Sequence, residues 1–552
     1  MDSPASETKQ ELSLPSATQL KRILPWVILA IILTAAWSLR AYHLDYPVIG
    51  YHNWKETHYL TEARQFAREG FFQHGFFVPA TDYPLGPDPT GAHPDTFPML
   101  QIITAFAFRI FGESLAIARG IVVLFSLAGI IAMYFFAKQL FKREDAALLA
   151  AAVLALMPLT IFFGRNFQLD APGLFFMILA GYFYLRWRDG RPDRDLILSS
   201  LLITLAVLQK YTFIIIAGPV LLTFPFRRLK EWRAHLKLWL IAALIPITIP
   251  LWIGYTAVAV TGSYGLKEAL TGETVKSAVF SDPGFWLAMR SYIADNYTWL
   301  GFWLAVIGIA LAVLLLRKQF SARFIAAFAL TSLGWIFIMG YKLSGHSYHQ
   351  YPLVPLAVLG ITFLALLIGD TLAGLTRIPI VRYFALIAVI ALLWAPIRIA
   401  ANRQFDTQFY GLDQAGEYIR THAGPDDRIL HSGHQSYGLH WAADRKGRGY
   451  PGTVAELQTL ENDGARWILL YQWGLASAVQ NQELWTYLQM NYRPAQLAML
   501  PRGNEPATPI YLLLEKGGNF TEASLQSLQG TQRAANYELT GGTVQLAIID
   551  YQ

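Results

Sequence analysis

Apolar residues in this chain gather into long runs instead of the short alternations that build water-soluble cores. A hydrocarbon layer about 30 Å thick takes about 20 apolar helical residues to cross, or somewhat fewer where polar ends snorkel. Eleven stretches meet that length or approach it, near residues 23 to 42, 118 to 138, 146 to 163, 172 to 186, 195 to 209, 211 to 226, 236 to 257, 297 to 316, 323 to 341, 351 to 369 and 380 to 400. The fifth and sixth are separated only by the polar pair Gln209-Lys210, which fits either an outer turn or a kink within one helix. Residues 1 to 22 are polar, and no small-residue cleavage site follows the first run, as expected of a retained first span.

Beyond Phe405 the pattern changes. Short apolar strands such as Arg428 to Leu430 and Ala465 to Tyr471 alternate with helical periodicity such as Thr453 to Glu461. Gly541-Gly542 joins two alternating runs, as a terminal hairpin would. The fold expected is an α-helical polytopic membrane protein of about 11 transmembrane helices (residues 23 to 404, after the tail 1 to 22), with a C-terminal α/β domain over 405 to 552.

Lysine and arginine set the orientation. With the N-terminus inside, alternate connections carry Lys142-Arg143, Arg186 to Arg194, Arg227 to Lys237, Arg317 to Arg323 and Arg377 to Arg382. The positive-inside rule assigns all of them to the cytoplasm by one consistent choice. The segment 98 to 113 then has to lie along the outer surface, because counting it as a span would turn the later basic loops outward. The outer segments become 43 to 117, 164 to 171, the turn near 210, 258 to 296, 342 to 350 and everything after about 401.

Composition agrees with this layout. Of 552 residues, 54% are hydrophobic and 15% charged, against roughly 25% charged in an ordinary soluble domain. The net charge of +6 is largely that of the basic cytoplasmic loops, so no nucleic-acid partner is expected. The absence of cysteine excludes disulfides, iron–sulfur clusters, Cys-ligated zinc and thiol catalysis. No solenoid period or GxGxxG loop occurs, and a nucleotide-sugar Rossmann domain is not evident.

Ionisable groups are costly near a bilayer, so their placement points to chemistry. They collect on the outer side. His52, Lys55, Glu56, His58, Asp82, Asp88, His93 and Asp95 lie in the first outer segment, Arg165 and Asp170 in the second, and Lys210 at the third turn. KLSGHSYHQ, residues 342 to 350, precedes Tyr351-Pro352. Each has an ordinary structural reading. NWKETHYLTEARQFA forms an amphipathic surface helix with Tyr59, Ala63, Phe66 and Ala67 on one stripe, in which Asn53 and Glu56 make a capping-box-like pair. Asp95, between prolines, is a turn carboxylate, Asp170 an N-cap, and Arg165 a snorkelling arginine. His346 and His349 stand in a loop context and read as interfacial hydrogen-bonders, so a divalent metal, though compatible with such residues, is not predicted. What favours chemistry is that acids and cations from separate loops converge on one membrane face.

An outer-loop acid, then R-x4-D after a span, then H-x-Y-H-Q-Y-P-L-V-P before a late span resembles the GT-C membrane glycosyltransferases. The nearest group is the protein O-mannosyltransferase and aminoarabinose-transferase superfamily (glycosyltransferase family 39 and relatives, PMT_2-like). The matching pieces are WKETHYLTEARQF, HPDTFPMLQIITAFAFRIFG, GRNFQLDAPGLFF, LQKYTF and HSYHQYPLVPLAVL. The similarity covers about residues 23 to 400, and an outer C-terminal domain typical of the family follows.

The resemblance implies an inverting glycosyltransferase of the plasma (inner) membrane. Its donor would be a polyprenyl-phosphate-linked sugar and its acceptor a glycan, lipid or protein, with the active site and C-terminal domain extracytoplasmic. The family's first-loop motif is usually Asp-Glu, whereas here Lys55 stands before Glu56. The base is therefore expected to be Glu56 alone, or Asp95, which matches the family's second acidic position. Arg165, Lys210, His346 and His349 are expected at the donor phosphate, and Lys55, Asp170, Tyr348 and Tyr351 at the substrate. Compartment supports a lipid-linked donor, since nucleotide sugars are cytoplasmic and every candidate group faces outward. The alternatives are a transporter or lipid flippase, disfavoured because the charges avoid the midplane and no matching repeats occur, and a membrane-anchored binding module.

Overall fold

The computed structural model describes residues 17–72, 75–78, 96–226, 232–259, 277–315, 317–503, 505–527 and 530–551. Each apolar stretch is helical. The membrane half runs α1 (Ala17–Arg40), α2 (Asn53–Glu69), α3 (Met99–Phe111), α4 (Leu115–Phe141), α5 (Glu144–Leu156), α6 (Pro158–Phe162), α7 (Asp170–Arg188), α8 (Arg194–Gln209) and α9 (Ala217–Leu222). It continues with α10 (Trp232–Leu244), α11 (Thr248–Ala259), α12 (Pro283–Asn296), α13 (Trp299–Leu314), α14 (Phe320–Gly345), α15 (Val354–Thr376) and α16 (Val381–Asp406). Among the described residues, six helical segments are individually long and apolar enough to cross a membrane, or seven if the bent pair α12–α13 counts as one span. The chain is a multi-pass membrane protein. The remaining expected spans, such as 172 to 186 and 195 to 209, are helical but fall short by length or composition.

Helices α13 and α15 touch backbone to backbone. A Cβ at Gly308 would lie 1.9 Å from the Gly360 carbonyl oxygen, and one at Gly360 2.7 Å from that of Ala305. Small residues permit this approach, and in lipid such packing substitutes for a hydrophobic drive. Helix α12 bends 95° from α13 and so leaves its axis. Helix α3, with 13 residues, is only about 20 Å long and too short to span, in keeping with a surface position.

Three local expectations resolve in three dimensions. Helix α8 stops at Gln209, Lys210 is extended, and a 3-10 turn over Tyr211–Ile216 leads into α9. Leu222 at the end of α9 lies beside Arg188 at the end of α7, so Lys210 is the tip of a helical hairpin rather than a kink in one helix. Helix α2 does not float on a surface with its polar face in water. Glu56, Thr57, His58, Thr61, Glu62 and Arg64 are buried along with Leu60, Ala63 and Phe66. Nor does the capping box form, because the Asn53 amide donates to the Gln435 carbonyl and its oxygen accepts from Gly438 N–H, while Glu56 turns elsewhere.

The C-terminal domain is built on a seven-stranded mixed sheet in the order β2-β1-β3-β5-β4-β7-β6. Its strands are β1 (Arg428–His431), β2 (Gly447–Gly449), β3 (Ala465–Tyr471), β4 (Tyr492–Arg502), β5 (Glu505–Lys516), β6 (Gly530–Leu539) and β7 (Gly542–Tyr551). The first three pair parallel and the rest antiparallel, and Leu539↔Gly542 closes the terminal hairpin. Helix Val454–Asn462 starts at a Thr453 cap that accepts from Glu456 N–H.

This domain sits on α2. Asp444 accepts from Arg64 and Arg68, the latter also paired with Glu113, and the Arg64 guanidinium lies 3.7 Å from the Trp441 ring centroid. Burial opposes the charged form of Asp444, but Arg68 and Arg64 hold its carboxyl below the usual range. Asp444→Asn is expected to loosen the docking by about 1 kcal/mol, since Arg68 is partly exposed and screened and both Arg64 and Arg68 keep Glu113 as a partner. Limited proteolysis should then cut faster between α16 and β1, and an unchanged rate would remove this contact from the docking energy.

Candidate functional site

The segments that the sequence assigns to the outer side meet at one end of the bundle. Tyr51 and His52, just before α2, reach the Ser347 hydroxyl at 3.4 and 3.3 Å. Asn296, ending α12, donates to the Ser347 carbonyl and the Gln350 side chain, and the Tyr297 hydroxyl donates to the Gln350 carbonyl. These bonds fix the 3-10 stretch Ser347–Leu353 ahead of α15.

Around that stretch lies a cationic, aromatic cluster. Lys210 Nζ donates to Asp170 Oδ1 at 2.7 Å and sits 4.4 Å from the Tyr348 ring centroid. Asp170 is buried as the first residue of α7, so its carboxylate sits at a positive helix end and faces a lysine from the α8–α9 tip. The His346 ring stacks on Tyr348 at 5.2 Å and lies 5.9 Å from His349 and 5.3 Å from Trp54. Lys55, over the Trp54 ring at 4.7 Å, also acts on Asp170. Lys210, His346, Lys55 and Lys342 bear electrostatically on His349, whose Nδ1 is buried with no hydrogen-bond partner among the described residues. Tyr351 is fully buried and within electrostatic reach of Asp170.

His52 belongs to this cluster as well. It holds a left-handed backbone (φ 58°), a costly conformation for a non-glycine residue that is maintained only where the surroundings enforce it. Its ring meets Tyr348 edge-on at 5.1 Å and His346 at 5.8 Å. Burial, then the positive groups His346, Lys210 and Lys55, push its imidazole well below the ordinary 6.5. His52 is therefore neutral at physiological pH, a hydrogen-bonding group rather than a charge.

Glu56 and Arg165 enter a neighbouring network. Arg119, near the start of α4, donates from Nε and Nη2 to the two Glu56 oxygens at 2.8 and 3.0 Å, and Phe167 N–H donates to Oε1 at 3.0 Å. Arg119 also donates to the Leu44 and Tyr46 carbonyls. Arg165 donates to the Tyr42 and His43 carbonyls and lies against Phe405, away from the lysine cluster. Burial opposes ionisation of Glu56, but Arg119 and the Phe167 amide hold its carboxyl below the usual range. This network ties α2, α4, the 42–46 turn and the 163–169 loop together.

The structure thus gathers Lys55, Asp170, Lys210, His346, Tyr348, His349 and Tyr351, and sets Glu56 and Arg165 in an adjoining ion-pair system. Asp95, like Asp82, Asp88 and His93, lies outside the described residues. His52 and Arg119 received no role from the sequence. Arg119 had a signal, as an arginine inside the apolar run AIARGIVVLF, where a charge demands a partner. Among the described residues no group of three or more His, Asp or Glu side chains is arranged to hold a metal ion.

Residues 92–253 match the family model for dolichyl-phosphate-mannose-protein mannosyltransferase (PMT_2). The fold is shared with an Archaeoglobus fulgidus oligosaccharyltransferase tethered to an acceptor peptide, at TM-score 0.58 and 13% identity over 90% of this chain and 74% of that one. AglB from the same organism, in complex with an inhibitory peptide and a dolichol-phosphate, aligns at TM-score 0.58 and 14% identity, covering 89% and 74%. ArnT from Cupriavidus metallidurans, bound to undecaprenyl phosphate, aligns at TM-score 0.57 and 15% identity over 96% of this chain and 98% of its own. No curated protein sequence matches the chain significantly. The chain has the GT-C fold.

Proposed function

We propose that this protein is an inverting glycosyltransferase that moves a sugar from a polyprenyl-phosphate donor to a glycan, lipid or protein acceptor at the outer face of the plasma membrane. The observation that carries the reading is the Lys210–Asp170 pair set among Lys55, His346, His349 and Tyr348 at one end of a GT-C bundle. Two proteins of this fold are described with polyprenyl phosphates, dolichol-phosphate in one and undecaprenyl phosphate in the other. A cationic cluster at the bilayer edge suits the same headgroup here.

In this reading the acceptor hydroxyl gives its proton to a carboxylate, and its oxygen attacks the anomeric carbon opposite the phosphate. The bond from that carbon to the phosphate oxygen breaks, and polyprenyl phosphate leaves with one more negative charge. Lys210, Lys55 and His346 stabilise that charge where water is scarce. Both Glu56 oxygens are committed to Arg119 and Phe167 N–H, so Glu56 acts as a positioning residue and Asp95 is the base. Asp170 orients Lys210, while Tyr348 and Tyr351 line the sugar position.

The test is transfer of label from a polyprenyl-phosphate sugar to an envelope-extract acceptor in proteoliposomes. Wild type is expected to transfer, and Asp95→Asn to lose about 100-fold or more, as general bases commonly contribute. Lipid or sugar flux without transfer would establish the transporter reading instead. Full activity of Asp95→Asn would remove Asp95 as base.

A further inference from the structure

The strongest unassigned feature lies at the other end of the bundle. Asp170 and Arg188 begin and end α7, about 27 Å apart at the helical rise. Beside Arg188 opens a cavity of about 610 Å³, bounded by α7, the end of α9 and the start of α14. That is within the size range of small-molecule sites.

Its walls divide into two kinds. Arg188 and Arg323 both lie over the Phe320 ring, with guanidinium carbons 3.5 and 5.6 Å from its centroid. Leu222, Phe224, Phe226 and Ala327 supply an apolar wall. Among the described residues Arg323 has no carboxylate within salt-bridge distance. Among the described residues Arg188 meets one carboxylate, Asp189, at 3.6 Å, and the other Asp189 oxygen already takes Lys142 and Gln139. Arg188 Nε is buried without a hydrogen-bond partner among the described residues. Two cations are thus held side by side on an aromatic face with, among the described residues, only the Asp189 carboxylate near either. Arg188 is half-buried and Arg323 exposed, and holding two like charges against one ring is unfavourable unless an anion joins them.

We infer that this cavity binds the phosphate headgroup of an anionic membrane phospholipid, its first acyl carbons lying on the Leu222–Phe226 wall. Planar guanidiniums suit phosphate oxygens bidentately, and basic pockets between membrane helices recognise such headgroups. The site requires no glycosyl transfer and stands independently of the proposed reaction.

The experiment is native mass spectrometry of the full chain, released from nanodiscs of equal phosphatidylglycerol and phosphatidylcholine. Wild type should retain phosphatidylglycerol in preference to phosphatidylcholine by about tenfold or more, the scale of one charge-assisted contact. Arg188→Gln/Arg323→Gln should lose that preference, while Arg188→Lys/Arg323→Lys, which keeps the charge, should keep part of it. Thermal unfolding with the lysine variant reports whether the fold persists. Equal retention of the two lipids by wild type, or unchanged preference in the glutamine variant, overturns the inference. So does displacement of the lipid by inorganic phosphate alone, which would make this a free-anion site. Exclusive retention of added undecaprenyl phosphate would overturn it in favour of a second carrier site.

Discussion

Lys210→Ala is expected to lower transfer by about 100-fold to 1000-fold, the usual loss when a donor to a developing anion is removed. Lys210 sits at the tip between α8 and α9, pairs with buried Asp170 at 2.7 Å and lies over Tyr348. A leaving phosphate gains charge in the transition state, so the contact is worth more there than in the ground state and the loss should fall on kcat. The same substitution strands a buried carboxylate, which can itself disturb the site. Asp170→Asn in the Lys210→Ala background removes that charge and separates the two effects. If Lys210 serves the phosphate, the double variant stays inactive with a restored unfolding temperature. Recovery of transfer in the double variant would show that Lys210 served only to neutralise Asp170.

Glu56→Gln is expected to destabilise the protein by about 3 to 5 kcal/mol, as breaking one side of a buried ion pair does. Arg119 would be left fully buried against a neutral amide, and α2 would lose its tie to α4 and the 163–169 loop. Arg119→Gln should cost a similar amount, and the double variant less than the sum. The pH dependence has a definite sign. The Glu56 carboxyl is held below its ordinary value near 4.5, so its contribution is fully present above that value. It is lost as pH falls through the lower folded value. Unfolding temperature measured from pH 7 downward should fall less steeply for Glu56→Gln than for wild type over that acid window. A variant with wild-type unfolding at every pH but no transfer would reverse the assignment and make Glu56 the base.

The helices, the shortness of α3 and the terminal hairpin at Gly541-Gly542 were legible because run length and periodicity are local properties. So was the gathering of Lys55, Asp170, Lys210 and the 346–349 histidines toward one face, since alternation of basic loops orders the ends of every helix at once. That the eleven apolar stretches are helical was legible, but not how many of them cross, because among the described residues length and composition qualify only six or seven.

Pairing was beyond reach of the sequence. Whether Glu56 meets a substrate or a cation depends on Arg119, 63 residues away, and a run-length reading absorbs that arginine into an apolar span. Helix α2 has amphipathic periodicity, yet its polar face is buried too, because the sheet domain more than 300 residues later covers it through Asn53, Arg64 and Asp444. The sequence by itself determined which residues lie at which end of the bundle. Only the tertiary structure decided which acid holds which cation, because a charge's role follows from its nearest desolvated neighbours, and those come from distant parts of the chain.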